Sequence, residues 1–283
     1  MAAQIIDGKK IAEDIKNEVK ESVTVLTAQG KQPCLAVVLV GDDPASAVYV
    51  GSKKKACEYT GIKSVSYEMG ADTEESALLK LIGELNADAS VHGILVQLPL
   101  PRHINEEKIL LAIDPKKDVD CFHPYNVGLV SIGTGTLLPG TPAGIIELLK
   151  RSKLEIAGKH CVVIGRSNIV GKPVASLLLR ENGTVTICHS RTKDLAEMTK
   201  QADILVAALG KPKFVTADMV KDGAVVIDVG IHRLGGKKLC GDVDYDACAE
   251  KAGWITPVPG GVGPMTIAVL MQNCLAAYQL QNA

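Results

Sequence analysis

Apolar positions along the chain alternate between two periods. Ile11, Ile15, Val19, Val23 and Leu26 recur every three to four residues, which lines one face of a helix, and the pattern stops near Gly30. Cys34–Val40 is then apolar without a break, as a strand buried on both faces is. Residues 45–59 predict a helix stopped by Gly61, and Val65, Tyr67 and Met69 alternate with polar residues as in a half-exposed strand. Thr73 is expected to cap a helix reaching Asn86. Residues 93–98 predict another buried strand, closed by Pro99-Leu100-Pro101, and a short helix over 105–112 leads into a charged loop, 114–120. This alternation of strands and helices predicts a parallel sheet.

Residues 122–141 are rich in Gly, Pro and Asn and predict a connection between domains. Thr141 is then expected to cap a helix through Lys150. A second series follows: strand His160–Ile164, helix 170–180, strand Thr184–Cys188, helix 192–201, and strands Ile204–Ala207 and 224–229. Dense Pro and Gly over 257–264 precede a last helix, 265–279. No strand comes after it, so its apolar face is expected to pack back on the first domain. The expected fold class is α/β, with two domains carrying parallel sheets and the second Rossmann-like. The expected boundaries are 1–138 plus 266–283 for the first domain and 139–265 for the second.

Composition narrows the partners. Of 283 residues, 47% are apolar but only 3% aromatic, so the core is aliphatic. A net charge of −1 offers no basic excess for a phosphate backbone, and nine rings are too few to stack bases; nucleic acid is excluded. That apolar fraction also excludes a disordered chain. No apolar run approaches the roughly 20 residues of a membrane span, so no membrane partner is expected. The first ten residues lack the layout of a secretory signal, which makes the cytosol the expected compartment, a mitochondrial form stripped of its leader being compatible. The eight cysteines form no C-x-x-C and no finger-like spacing with His. Reduced structural thiols and no metal site are expected.

The sharpest local motif is Gly165-Arg166-Ser167-Asn168-Ile169-Val170-Gly171-Lys172-Pro173, which follows an apolar strand and opens a helix. That is where a dinucleotide pyrophosphate meets free backbone N–H groups. The G-x-G-x-x-G spacing is not met: Ser167 replaces the second Gly and the last Gly comes one residue late. A Walker loop is not met either, because five residues separate the glycines and Pro173 follows Lys172, so ATP hydrolysis is disfavoured. The next strand ends in His189-Ser190-Arg191-Thr192, without the acid that NAD-binding domains place on the ribose. Arg191 can pair a 2′-phosphate, which favours NADP over NAD; the alternative is a solvated arginine on a loop.

A second polar cluster lies in the first half. Tyr49 and Lys53 share a helix face. In short-chain dehydrogenases a Tyr-x-x-x-Lys pair lies downstream of the nucleotide loop, whereas here it lies more than a hundred residues upstream, which demotes that reading. Lys53 is otherwise one of an exposed run, Lys53-Lys54-Lys55. Gln97 interrupts the most apolar strand at its carboxyl end, where α/β sheets bind ligands, unless neighbouring backbone satisfies it. Asp118 and Asp120 end the charged loop. Pro259-Gly260-Gly261-Val262-Gly263-Pro264 carries so little side chain that its backbone can approach a flat ligand closely, unless it is a linker.

Taken in order, several motifs resemble the bifunctional methylenetetrahydrofolate dehydrogenase/methenyltetrahydrofolate cyclohydrolase family over nearly the whole chain. They are Ile5-Ile6-Asp7-Gly8, Tyr49-Val50-Gly51-Ser52-Lys53, Gly93-Ile94-Leu95-Val96-Gln97-Leu98-Pro99, Lys117-Asp118-Val119-Asp120 and the stretches 165–173 and 257–266. The resemblance implies a folate cleft between the two domains, NADP (NAD in some members) on the second, and usually a homodimer. It implies Lys53 as the catalytic lysine, Tyr49 stacking on or orienting the folate, Gln97 supporting Lys53, and Asp120 holding the pterin amine edge. Val50, Gly51, Ser52, Leu98, Pro99, Pro259, Gly260, Gly261, Val262 and Gly263 would complete the folate pocket. Gly165, Arg166, Ser167, Val170, Gly171, Pro173, Ser190, Arg191, Thr192 and Ile231 would contact the dinucleotide.

Two positions depart from the family pattern: Cys121 stands where the family usually has Gly, and Gly140 where it commonly has Cys. The competing functions are another two-domain dehydrogenase, acting on an amino or hydroxy acid, and a non-enzymatic NADP- or folate-binding protein.

Overall fold

Cys34–Val40 forms a strand with all seven side chains buried, the outcome its unbroken apolar run predicts. The computed structural model describes residues 2–235 and 238–282. The first half carries β1 (Gln4–Ile5), α1 (Gly8–Ala28), β2 (Cys34–Val40), α2 (Pro44–Thr60), β3 (Lys63–Met69), α3 (Glu75–Ala87), β4 (Gly93–Val96), α4 (Glu106–Ala112) and α5 (Pro124–Ser131). Then come α6 (Gly140–Arg151), β5 (His160–Ile164), α7 (Gly171–Arg180), β6 (Thr184–Cys188), α8 (Leu195–Thr199), β7 (Ile204–Ala207) and β8 (Val225–Asp228). Last are β9 (His232–Arg233), β10 (Leu239–Cys240), α9 (Tyr245–Ala249), β11 (Trp254–Ile255) and α10 (Val262–Gln281).

The chain divides into two units, Met1–Ala12 with Thr141–Thr266, and Glu13–Gly140 with Ile267–Ala283. Residues 1–12, expected with the first domain, fall with the second unit. The reason is backbone pairing: β1 runs parallel to β11, with Gln4 opposite Trp254 and Ile5 opposite Ile255.

The unit containing Glu13–Gly140 is built on a three-stranded parallel sheet in the order β3-β2-β4. Because successive side chains of a strand point to opposite faces, β2 feeds two cores. Leu35, Val37 and Leu39 pack with Val19 and Val23 of α1, Val50 and Cys57 of α2, and Leu270, Met271 and Cys274 of α10. Cys34, Ala36, Val38 and Val40 pack with Leu78, Ile82 and Leu85 of α3 and Ile109 of α4. The last helix thus buries its apolar face in this unit, as expected.

The other unit holds a six-stranded, all-parallel sheet in the order β1-β11-β8-β7-β5-β6. One of its cores gathers Val162, Ile164, Leu205, Ala207, Val226 and Ile255. A small antiparallel hairpin, β9 with β10, stands apart from the sheet.

Several boundaries differ from expectation for local reasons. Helix α3 is preceded by Glu74, which makes no side-chain cap, so Thr73 does not cap it. Residues 122–141 contain α5, with Pro124 in its first turn and His123 Nδ1 accepting from the Tyr125 N–H at 3.1 Å. Proline costs nothing at that position, because the first-turn N–H lacks an intrahelical partner anyway. Thr141 lies inside α6, and its hydroxyl meets that of Thr266 at 3.0 Å. Helix α8 is a five-residue piece of the expected 192–201. Among the described residues, no helix is long and apolar enough to cross a membrane.

Candidate functional site

Helix α2 starts at Pro44, with Asp43 accepting from the Ser46 N–H at 2.7 Å, and stops at Gly61, whose φ of 79° is left-handed. Within it, Val50, Lys53 and Cys57 stand at i, i+3 and i+7, one stripe of the helix. Val50 and Cys57 are buried in the core, so Lys53 emerges from an apolar stripe. Its neighbours in the lysine run behave otherwise: Lys54 reaches Glu68 at 3.3 Å, and Lys55 is exposed. Lys53 Nζ donates to Gln97 Oε1 at 3.0 Å. Desolvation lowers its pKa, and the charge of Asp120 works against that shift. Tyr49, one turn earlier, is 51% exposed, so its ring is available to a ligand. The Ser52 hydroxyl donates back to the Val48 carbonyl at 3.0 Å.

Strand β4 ends at Val96, leaving Gln97, Leu98 and Pro99 just past its carboxyl end. The Gln97 backbone N–H still donates to the Val38 carbonyl at 2.8 Å. Its side-chain Nε2 donates to the Leu98 carbonyl at 2.6 Å, which turns Oε1 toward Lys53. Neighbouring backbone and Lys53 therefore share this amide.

Asp120 reaches the same region through an isolated parallel bridge between Ile94 and Asp118, which carries its segment alongside β4. Desolvation raises its carboxyl pKa to about 6; Lys53 opposes the rise and Asp118 adds to it. Asp118 itself is buried and accepts from the His123 N–H and Asn126 Nδ2, each at 2.9 Å. Lys117, also buried, donates to the carbonyls of Leu85, Asn86 and Asp88, closing the carboxyl end of α3. Of the four residues 117–120, only Asp120 is left for a ligand. Cys121 has φ 59°, a left-handed conformation that strains any residue with a Cβ. Its thiol is buried and donates to the Leu137 carbonyl at 3.3 Å.

In the other unit, Gly165 follows β5 with φ 130°, and a Cβ there would overlap the Ala208 carbonyl oxygen. A Cβ at Gly171 would overlap the Gly165 carbonyl. Glycine at both positions keeps the turn tight enough for backbone to approach a phosphate. Ser167 Oγ accepts from the Val170 and Gly171 N–H groups, both at 3.2 Å, so a side chain occupies the first donors of α7. Arg166, Ser167, Asn168 and Ile169 are exposed, and Pro173 lies buried in α7. At the end of the adjacent strand β6, Thr192 Oγ1 accepts from the His189 N–H at 2.8 Å and closes the turn. That turn leaves Ser190 and Arg191 exposed. Ile231, after β8, is 50% exposed.

The structure brings Tyr49, Val50, Gly51, Ser52, Lys53, Gln97, Leu98, Pro99 and Asp120 into one unit. Pro259, Gly260, Gly261, Val262 and Gly263 belong to the other unit, with the nucleotide loop. Val50 and Val262 are core residues. Sequence reasoning missed Asn126, which steadies Asp118, and the buried carboxylates Asp228 and Asp242. Asp228 carried a readable signal: like Gln97, it ends an otherwise aliphatic strand. Among the described residues no group of three or more His, Cys, Asp or Glu side chains is placed to hold a metal ion.

Two family models match the chain. One, described as the tetrahydrofolate dehydrogenase/cyclohydrolase catalytic domain, covers residues 6–120. The other, the NAD(P)-binding domain of the same family, covers residues 139–282. The bifunctional protein FolD of Agathobacter rectalis is 65% identical over 277 residues, 98% of this chain and 99% of that protein. Among solved structures, the bifunctional FolD methylenetetrahydrofolate dehydrogenase/cyclohydrolase of Campylobacter jejuni is 50% identical, with a TM-score of 0.96 and 99% of each chain covered. The Trypanosoma brucei methylenetetrahydrofolate dehydrogenase-cyclohydrolase, complexed with NADP cofactor and inhibitor, is 40% identical. Its TM-score is 0.93, with 99% of this chain and 98% of that one covered.

Proposed function

Because the chain belongs to the tetrahydrofolate dehydrogenase/cyclohydrolase family, we propose that it performs both reactions. It oxidises 5,10-methylenetetrahydrofolate to 5,10-methenyltetrahydrofolate with NADP, and hydrolyses the product to 10-formyltetrahydrofolate. The observation that carries this reading is the hydrogen bond from Lys53 Nζ to Gln97 Oε1 at 3.0 Å, on a lysine whose pKa desolvation has lowered. An amine held in that way gives up its proton more readily than a solvated lysine and can retake it, as hydrolysis of the methenyl carbon requires. Gln97 is itself anchored on Leu98, so its oxygen restricts the directions Nζ can take. The exposed ring of Tyr49 gives a flat pterin a surface to lie on.

The residues of the second unit fit NADP. The turn at Gly165 and Gly171 has no room for a Cβ, and Arg191 with Ser190 stands where an NAD site would place an acid. Arg191 would take the 2′-phosphate, and Arg166 with the loop backbone the pyrophosphate. When bound, NADP supplies the acceptor for the hydride leaving the methylene carbon. The family resemblance supports a homodimer working in the cytosol.

Asp120 would hold the amine edge of the pterin as a carboxylate, since only the ionised form accepts without donating. Its pKa of about 6 sets a pH limit. Above that pH the carboxylate is present and the folate is held. As pH falls through it the group protonates, and kcat/KM for the folate is expected to fall, mainly through KM. Asp120→Asn should bind folate poorly and lose this acid limb. A limb that persists in the variant removes Asp120 from the folate contact.

The direct test of the function follows reduced nicotinamide by absorbance, with methylenetetrahydrofolate and either NADP or NAD. A strong signal with NADP and a weak one with NAD is expected. Ligand binding without turnover would instead make the chain a binding protein. An NAD preference would overturn the role given to Arg191.

A further inference from the structure

Two fully buried carboxylates, used by none of the chemistry above, lie beneath the carboxyl ends of the larger sheet. Asp242, between β10 and α9, has no exposed surface. Its Oδ2 accepts from the Leu209 N–H at 2.8 Å and the Gly210 N–H at 2.9 Å. Its Oδ1 accepts from the Lys211 N–H at 2.9 Å and meets His232 Nε2 at 2.7 Å. Asp228, the last residue of β8, accepts in turn from the N–H groups of Asp242, Val243 and Gly230 at 2.8, 3.0 and 3.0 Å. Its own N–H donates to Thr256 Oγ1 at 2.7 Å, just past β11. The packing is too close for side chains: a Cβ at Gly241 would overlap the Asp228 carboxylate.

These bonds tie together the segments that leave β7, β8 and β11, which are neighbours in the sheet. Ligands of such sheets bind at the carboxyl ends of the strands, and a dinucleotide spans the point where the strand order reverses. The pyrophosphate loop follows β5, and Arg191 follows β6. The ends of β7 and β8, on the other side of β5, are left for the nicotinamide half. Ile231 stands there between Gly230 and His232, each bonded to one of the two carboxylates. The geometry points to Asp242 as a positioning residue for the nicotinamide half of NADP. It fixes the 209–211 loop through three backbone N–H groups, and the turn carrying Ile231 through His232. This inference rests on the NADP reading above.

The test compares two probes on the purified full chain. One is NADP, and the other is adenosine 2′,5′-bisphosphate, which carries the adenosine half and its 2′-phosphate but no nicotinamide. Asp242→Asn keeps the side-chain volume but turns an amide N–H₂ toward donors that need an acceptor. Leaving such groups unpaired is expected to weaken NADP binding by about tenfold or more. Binding of the bisphosphate should be unchanged, and the far-UV spectrum should match that of the unsubstituted chain. Equal weakening of both probes would mean a general structural role and overturn the proposal, as would unchanged NADP affinity. If Asp242→Asn does not fold, His232→Ala decides, since it removes a single, partly exposed partner. It should weaken NADP alone, and no selective loss there also overturns the proposal. Failure of the NADP reading itself would show separately, as an unsubstituted chain that does not bind NADP.

Discussion

Lys53→Met is expected to lower methenyl hydrolysis by about 10³-fold, within the range that a positioned proton-transfer group contributes. The loss of methenyl absorbance measures it. Methionine suits this position sterically, because Lys53 lies on the same helix stripe as the buried Val50 and Cys57. The fold and NADP binding should therefore survive, and what disappears is the proton carrier. Lys53→Arg should be nearly as inactive, because a guanidinium keeps its proton across the accessible pH range. The methionine variant has a second consequence. Lys53 is the positive charge that opposes the rise in the Asp120 pKa. Without it, the acid limb of folate binding should move above its position near pH 6. Hydrolysis at the unsubstituted rate in Lys53→Met would place the proton transfer on another group and sink the assignment.

The strands are readable as short, mostly apolar runs in a chain with few aromatics, Thr184–Cys188 instead alternating threonine with apolar residues. Cys34–Val40, His160–Ile164, Thr184–Cys188 and Ile204–Ala207 begin and end where the residues predict. Two-residue strands such as β1 and β11 carry no period at all. Their existence depends on tertiary backbone pairing, which is why the pattern of the sequence groups the first twelve residues with the first domain. Helix α5 was hidden because its Gly128, Pro124 and Asn126 read as loop residues.

The candidate cluster is more legible than the scaffolding around it. A polar residue ending an aliphatic strand marked Gln97, and spacing put Tyr49 with Lys53. Spacing could not distinguish Lys53 from Lys54, because that depends on which side of α2 meets β2. Nor could it separate Asp118 from Asp120: one carboxylate is consumed by the His123 backbone and Asn126, and the other is left open. The unusual Cys121 has its physical meaning in its φ of 59°, which explains why a glycine suits that position. Here the chain accepts backbone strain and buries the thiol.

Gly165→Ala should separate the two activities from the opposite side. The glycine has φ 130°, a region L-residues rarely enter, and the new Cβ would overlap the Ala208 carbonyl oxygen. That oxygen belongs to backbone just past β7 that is tied to β5, because the Ala208 N–H donates to the Ile164 carbonyl at 2.9 Å. It cannot swing aside as a flexible side chain would, so the turn itself has to move. A strained backbone position costs about 1–3 kcal/mol, and the overlap adds to it. Since each 1.4 kcal/mol is tenfold in affinity, NADP binding is expected to weaken by about 100-fold. Dehydrogenase turnover at ordinary NADP concentrations should be lost with it. Methenyl hydrolysis, assayed without cofactor, should persist, because Lys53, Gln97 and Asp120 belong to the other unit. Calorimetric titration with NADP decides the matter: an unaltered affinity would mean that the pyrophosphate does not sit on this loop, and the cofactor assignment would have to be rebuilt from the neighbouring strand ends.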